Sequence, residues 1–314
     1  MVNRTSTYIV FGVGIVLAIV GFLMLGSDLP LSARLGGAVP GVSVCFLGLV
    51  LFGLSFIPPT APPEGAPVTT EGERLTGIFF EPSRVFQSLR ARPHWLVPVV
   101  IMAVLAFAYT TAFTFRLTPE RIVSFTLDKV AERGFIPADR VAEAKAQQIE
   151  QAKSKPRIAL GIFPTFVLAF LGMAFLGALY MLGVLLFGGR LGYWQALSVA
   201  VYAFFPAAVI NRVLSLVLLY VKDPDDIHPI LGQNGLVQDN LGVLVKAADH
   251  PVIFTLLSAF GVLSFYHLWL TATGLRNAGE RVSVSAAWSV ALIIWGLGLL
   301  LGAGFSALFG NFLS

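Results

Sequence analysis

Seven stretches of the chain are apolar on every helical face and long enough to cross a bilayer. They are residues 8–25, 36–57, 95–115, 158–187, 193–221, 252–275 and 284–309. A helix needs about 20 mostly apolar residues to traverse a hydrocarbon core roughly 30 Å thick. Barrel strands would alternate apolar and polar positions with period two, and that alternation is missing here. The pattern predicts an all-α, polytopic transmembrane helical bundle of about seven spans, arranged two plus five. The fourth stretch is too short for two crossings, so it reads as one tilted helix with Pro164 near its start. The run Gly188-Gly189-Arg190-Leu191-Gly192 then turns the chain into the fifth. Arg4 gives the first stretch a positive flank. Its apolar length, with no small-x-small cleavage site close behind, predicts an uncleaved anchor rather than a signal peptide.

The polar segments divide the chain further. Five prolines in residues 58–67 suit an extended, solvated linker. Residues 1–57 are therefore expected to form a two-span helical hairpin, 58–74 a linker and 75–314 a five-span unit. The largest polar stretch, 116–157, carries nine bases and six acids. Thr118-Pro119-Glu120 supplies a helix start there, Gly134 a stop, and Pro137 a second start. The expectation is a charged helical hairpin outside the membrane, either a solvated spacer or a docking surface. Residues 80–89 read as a short amphipathic helix opened by Pro82, with Val85, Phe86 and Leu89 on one face. Such a helix lies in the headgroup region, with Phe80, Phe86 and Trp95 as interfacial anchors.

Composition narrows the function classes. Hydrophobic residues make up 56% of the 314 and charged residues only 12%, against about a quarter charged in soluble domains. Disordered, disulfide-stapled and cytosolic readings are excluded on that ground. The 15 arginines and 6 lysines are spread over several loops, which is no nucleic-acid footprint. Cys45 has no cysteine to pair with.

A search for chemistry finds little. No phosphate-binding loop, nucleophile elbow, His-Glu-x-x-His or Cys-His zinc spacing occurs, so no catalytic residue and no cofactor is predicted. Residues 222–251 hold five aspartates and two histidines. They lack the glycine and later bidentate acid of a calcium loop, and no metal is predicted. Inside the spans Arg212 and His267 stand out as intramembrane ionisable groups, which are usually functional or partnered. Asn211 and the proline break at Pro206 offer Arg212 nearby partners, and these four form the candidate polar site. Gly298, Gly302, Ser306 and Gly310 fall every four residues and predict a helix-packing stripe. Packing within the bundle is the plain reading of it, and homo-oligomerisation the alternative.

One family is suggested by the residues themselves. Phe80-x-Pro82-x-x-x-Phe86, then Pro93-x-Trp95-x-x-Pro98 at the mouth of a span, resembles the prokaryotic Yip membrane domain, named after the Ypt/Rab-interacting proteins. Tyr202-Ala203-Phe204-Phe205-Pro206, Gly274-Leu275-Arg276 and Ala286-Ala287-Trp288 continue the similarity across residues 78–312. The Asp-Leu-Tyr-Gly-Pro motif of eukaryotic members does not occur, which argues against Rab-like binding. The resemblance implies a helical bundle with a membrane-organising or recruiting role and no known catalysis. Its expected partners are the lipid bilayer and a membrane or cytoplasmic protein. A transporter or permease subunit, or a lipid-handling protein, is the alternative. Arg90, Arg92, Arg190, Arg276 and Arg281 sit in short stretches against the spans, where orientation is set. They predict an amino terminus inside a bacterial cytoplasmic membrane.

Overall fold

The computed structural model describes Gly65 and residues 67–309 apart from 133–137, 154 and 248, without the side chains at 138–139, 151–167 and 309. The expected spans at 8–25 and 36–57 lie outside the described residues, as does most of the proline-rich segment. Among the described residues ten α-helices follow in order. They are α1 (Glu71–Phe80), α2 (Pro82–Ala91), α3 (Leu96–Leu117), α4 (Pro119–Glu132) and α5 (Ala138–Lys153), then α6 (Lys155–Leu186), α7 (Tyr193–Val221), α8 (Pro251–Ser258), α9 (Val262–Ala278) and α10 (Val284–Phe309). Among the described residues there is no strand, only the isolated bridges Arg190–Glu280 and Asn240–Gly261.

Four of the described helices are long and apolar enough to cross a membrane: α3, the 168–186 part of α6, α7, and α10 to Leu308. The sixth expected span, 252–275, is not one helix. It breaks at residues 259–261 into α8 and α9. A polar loop satisfies the backbone groups that the break exposes. Leu241 N–H donates to the Phe260 carbonyl at 3.1 Å, and Val262 N–H to that of Asp239 at 3.3 Å. Leu263 N–H donates to Asp239 Oδ2 at 2.7 Å. Buried backbone groups outside a helix need partners of this kind. Gly261 permits the approach: a Cβ there would lie 2.9 Å from Asn240 Cβ. An unbroken apolar run conceals such a break.

α1 also departs from the sequence reading, because it starts inside the stretch 58–74 assigned to the linker. Thr70 Oγ1 accepts from Glu73 N–H at 3.3 Å, and Glu73 Oε2 accepts from Thr70 N–H at 2.7 Å. This reciprocal capping box starts the helix where composition suggested linker.

α7 forms the axis of the bundle. Residues 196–203 are buried on every face, enclosed by α2, α3, α6 and α9. The tight contacts are made by glycines. A Cβ on Gly177 would come 3.0 Å from Leu197 Cα, one on Gly183 2.6 Å from Val290, and one on Gly274 2.7 Å from Val199. Small residues let helices approach this closely where no hydrophobic drive exists between them. The α10 stripe is different. A Cβ on Gly298 would meet nothing within 4 Å, while one on Gly302 would lie 3.5 Å from Thr255 Cγ2, Ser306 is buried, and Gly310 falls outside the described residues. No close approach occurs at Gly298, because it faces a small cavity between α6, α8, α9 and α10.

α2 packs its apolar face against the bundle. Val85, Phe86 and Leu89 are 2%, 0% and 0% exposed, and the Phe86 ring packs on Gly274. Phe86 is thus part of the core, since a partner helix covers its apolar face. Phe80 is 84% exposed. Trp95 stacks on Trp194, with centroids 6.3 Å apart and an interplanar angle of 6°. Beneath α1 lies a buried charge, Arg74, bonded through Nε to Thr69 Oγ1 (2.9 Å) and Ser88 Oγ (3.2 Å). Its Nη1 pairs with Glu71 Oε1 at 2.9 Å, and Glu71 also engages His94. Nearby, Arg190 and Glu280 exchange backbone bonds of 2.8 and 2.7 Å. Arg90 pairs with the Glu280 carboxylate at 3.0 Å.

Candidate functional site

At the opposite end the chain leaves α7 and folds back on the bundle. Loop 222–250 is anchored outside by Arg121 of α4, whose Nη1 pairs with Asp225 Oδ1 at 2.9 Å. His228 sits edge-on to Phe125, with centroids 5.0 Å apart. Its Nδ1 accepts from Ile230 and Leu231 N–H, each at 3.2 Å. Burial first, and the Lys129 charge second, depress the His228 pKa below its ordinary value. The loop then reaches between the helices. Tyr109 of α3 donates its hydroxyl hydrogen to the Gly232 carbonyl, and Leu236 N–H donates to Ser215 Oγ of α7 at 2.8 Å. Gly235 passes Asn211 so closely that a Cβ would lie 2.6 Å from Asn211 Oδ1, with φ at +131°, a region favouring glycine.

Beneath this loop lies a cavity of about 880 Å³ between α3, α6, α7 and α9. Its walls are apolar, with Val99, Met102 and Ala106 of α3, Phe170 and Met173 of α6, and Phe204 of α7. Its loop end is polar, with Asn211 and Arg212 from α7, Gln233, Asn234 and Asp239 from the loop, and His267 from α9. Ile122 and Val123 of α4 add the underside of the hairpin to the lining. The Arg212 guanidinium carbon stands 5.1 Å from the Tyr109 ring centroid, a cation–π contact. Its Nη1 is buried with no hydrogen-bond partner among the described residues. A buried donor without an acceptor is costly, so this nitrogen is suited to an acceptor from outside the chain.

Arg212, Asn211 and His267 thus meet at one cavity, although His267 is 55 residues further along the chain. Pro206 does not join them. It is buried within α7, which runs through it without a break. Proline has no N–H to donate, so α7 continues through Pro206 with one backbone bond missing. His267 makes an edge-on contact with Phe204, with centroids 5.7 Å apart, and also borders the smaller cavity of about 430 Å³. Sequence reasoning does not single out Tyr109, Gln233 or Asn234, and it meets Asp239 only as one of the loop's five aspartates weighed for metal binding. Tyr109 is legible as a polar tip inside a span, whereas the loop residues carry no local signal that they return to the bundle.

The loop acids do not gather. Asp223 accepts from Asp225 N–H at 3.0 Å as the cap of its own turn. Among the described residues no three His, Cys, Asp or Glu side chains are arranged to hold a metal ion.

An all-helical chain with several lipid-length apolar helices defines a multi-pass integral membrane protein. A family model described as the Yip1 domain matches residues 76–306, and the chain belongs to that family. The match runs from within α1 to within the last turn of α10, so it takes in the cavity, the polar loop and the hairpin. No curated protein and no solved structure matches the chain.

Proposed function

We propose that the protein is a non-enzymatic organiser of the bilayer around it, acting by taking a membrane lipid into the lateral cavity. The observation that carries this is the cavity's two-ended character. About 880 Å³ falls within the ligand-pocket range of roughly 300–1,000 Å³, and the walls are apolar while the polar groups converge at one end. Its lining on α3 runs from Val99 to Thr114, about 22 Å at roughly 1.5 Å per residue. That exceeds the roughly 15 Å of one leaflet's hydrocarbon, half of a core about 30 Å thick. Arg212 follows Trp194 by 18 residues, about 27 Å along α7 at the same rise. If the stacked tryptophans mark one interface, Arg212 stands near headgroup level at the other. In this reading the amino terminus is inside the cytoplasmic membrane of a bacterium, and the polar loop and hairpin lie across it.

The test is lipid retention by the full-length chain purified in mild detergent. Wild type is expected to hold about one phospholipid per chain, and Ala106→Trp, which fills the cavity, to lose it. Equal retention by both would refute lipid engagement in the cavity.

A second reading, recruitment of a protein partner, has its own observation. α5 lies beyond α4 and carries Arg140, Glu143, Gln147 and Glu150 exposed, while Lys145 ties it back to Asp128. Pull-down with a variant reversing Arg140, Glu143 and Glu150 should lose proteins that wild type retains. Identical captures would exclude α5 as the recruiting surface.

A further inference from the structure

We infer that the cavity's occupant is a phospholipid whose headgroup carries both a phosphate and a primary ammonium, held between Arg212 and Asp239. This rests on the lipid-engagement reading and names the chemistry of its ligand. The donors fit a phosphodiester. Among the described residues the buried Arg212 Nη1 has no acceptor. Asn211 uses its Oδ1 to accept from Ser215 Oγ at 3.5 Å, so its amide N–H groups remain as donors on the same lining. A guanidinium beside an amide matches phosphate oxygens in charge and geometry.

The acceptors fit an ammonium. Asp239 lines the cavity and gives Oδ2 to the Leu263 N–H at 2.7 Å. That bond uses one lone pair and leaves the carboxylate's charge, and Asp239 makes no ion pair among the described residues. Gln233 and Asn234 add amide oxygens at the same end. A carboxylate facing the headgroup opposes a purely anionic lipid and favours one with a cation next to its phosphate. A primary ammonium donates three hydrogen bonds, whereas a trimethylated choline donates none. The apolar walls supply the acyl-chain site that a free phosphate ester would not use.

The experiment uses the full-length protein reconstituted into vesicles with equal amounts of phosphatidylethanolamine, phosphatidylglycerol and phosphatidylcholine. The protein is re-extracted in mild detergent, and co-purifying lipid is quantified by mass spectrometry against the bulk mixture. Wild type should retain phosphatidylethanolamine several-fold above the other two classes. Arg212→Gln should lower total retained phospholipid about tenfold, the scale of one hydrogen bond to a charged group. Asp239→Asn keeps an acceptor for Leu263 N–H, so total lipid should persist while the ethanolamine preference disappears. Glycerophosphoethanolamine added in solution should not displace the lipid; displacement would make the site one for soluble phosphate esters and overturn the inference. Retained lipid without headgroup preference, or with phosphatidylglycerol preferred, overturns the headgroup assignment and leaves lipid engagement standing. No specific retention by wild type overturns both. The wild-type ratio decides the matter even if a variant fails to fold.

Discussion

The two ends of this bundle are built on opposite principles. Around the first half of α7 the packing is closed. Glycines draw helices into backbone contact, α2 is pressed into the bundle, and the buried Arg74 has hydrogen-bond partners on Thr69, Ser88 and Glu71. Around the second half the helices part. A long loop substitutes for missing contacts, one helix is broken, and Arg212 retains an unpartnered nitrogen. Buried polar atoms without a partner among the described residues occur at both ends, Glu71 Oε2 and the Tyr202 hydroxyl at the closed one and Arg212 Nη1 at the open one. Of these three only Arg212 lines the large cavity. The closed end holds the fold, and the open end leaves room for a ligand.

Substitutions at the two ends should separate these roles. The largest loss is expected from Arg74→Met, about 3 kcal/mol of stability. That lies at the lower end for a breached buried pair because Glu71 is a third exposed. Thermal unfolding in detergent measures it, and a negligible change would mean that the charge network is not structural. Next comes Gly183→Val, expected to cost about 1–3 kcal/mol through overpacking against Val290. Gly298→Ala should be neutral or slightly stabilising, by up to about 1 kcal/mol, because nothing stands within 4 Å of its Cβ position. Similar losses at both glycines would erase the contrast between the ends. Thr70→Ala removes the α1 cap and should cost about 1 kcal/mol, seen as faster hydrogen exchange in the first turn of α1.

The smallest expected effect is at His228, and it depends on pH. Its folded pKa is depressed, so the neutral ring favours the folded loop. That contribution is complete above the unfolded value of about 6.5. It is lost as pH falls through the depressed folded value, because a protonated Nδ1 no longer accepts from Ile230 and Leu231 N–H. Protection at these two amides relative to intrinsic exchange should therefore fall on acidification, and His228→Gln should flatten the dependence. Exchange that slows on acidification beyond its intrinsic trend would contradict this sign.

Several local elements are legible in the residues themselves. The third and fifth apolar stretches are helices α3 and α7 within two residues of their expected bounds. The hairpin of α4 and α5 follows its proline and glycine punctuation. The Thr70–Glu73 capping box is present in the sequence but is obscured by the proline-rich composition around it. Arg212, Asn211 and His267 are recognisable singly, because a charge or an imidazole within an apolar run is expensive wherever it stands.

Hydrophobic length, capping pairs and intramembrane polarity are properties of short segments, and the sequence alone determined them: the helices, their membrane character and the residues that needed partners. Tertiary structure decided the rest, because each remaining feature depends on contacts between distant segments. Phe86 could face lipid or protein until Gly274 was placed against it. The apolar run 252–275 could be one helix until residues 239–241 paired with its break. The cavity exists only because the loop descends far enough to set Gln233, Asn234 and Asp239 beside Arg212. No periodicity encodes that meeting, since the same residues would satisfy every local rule in a loop that stayed in water.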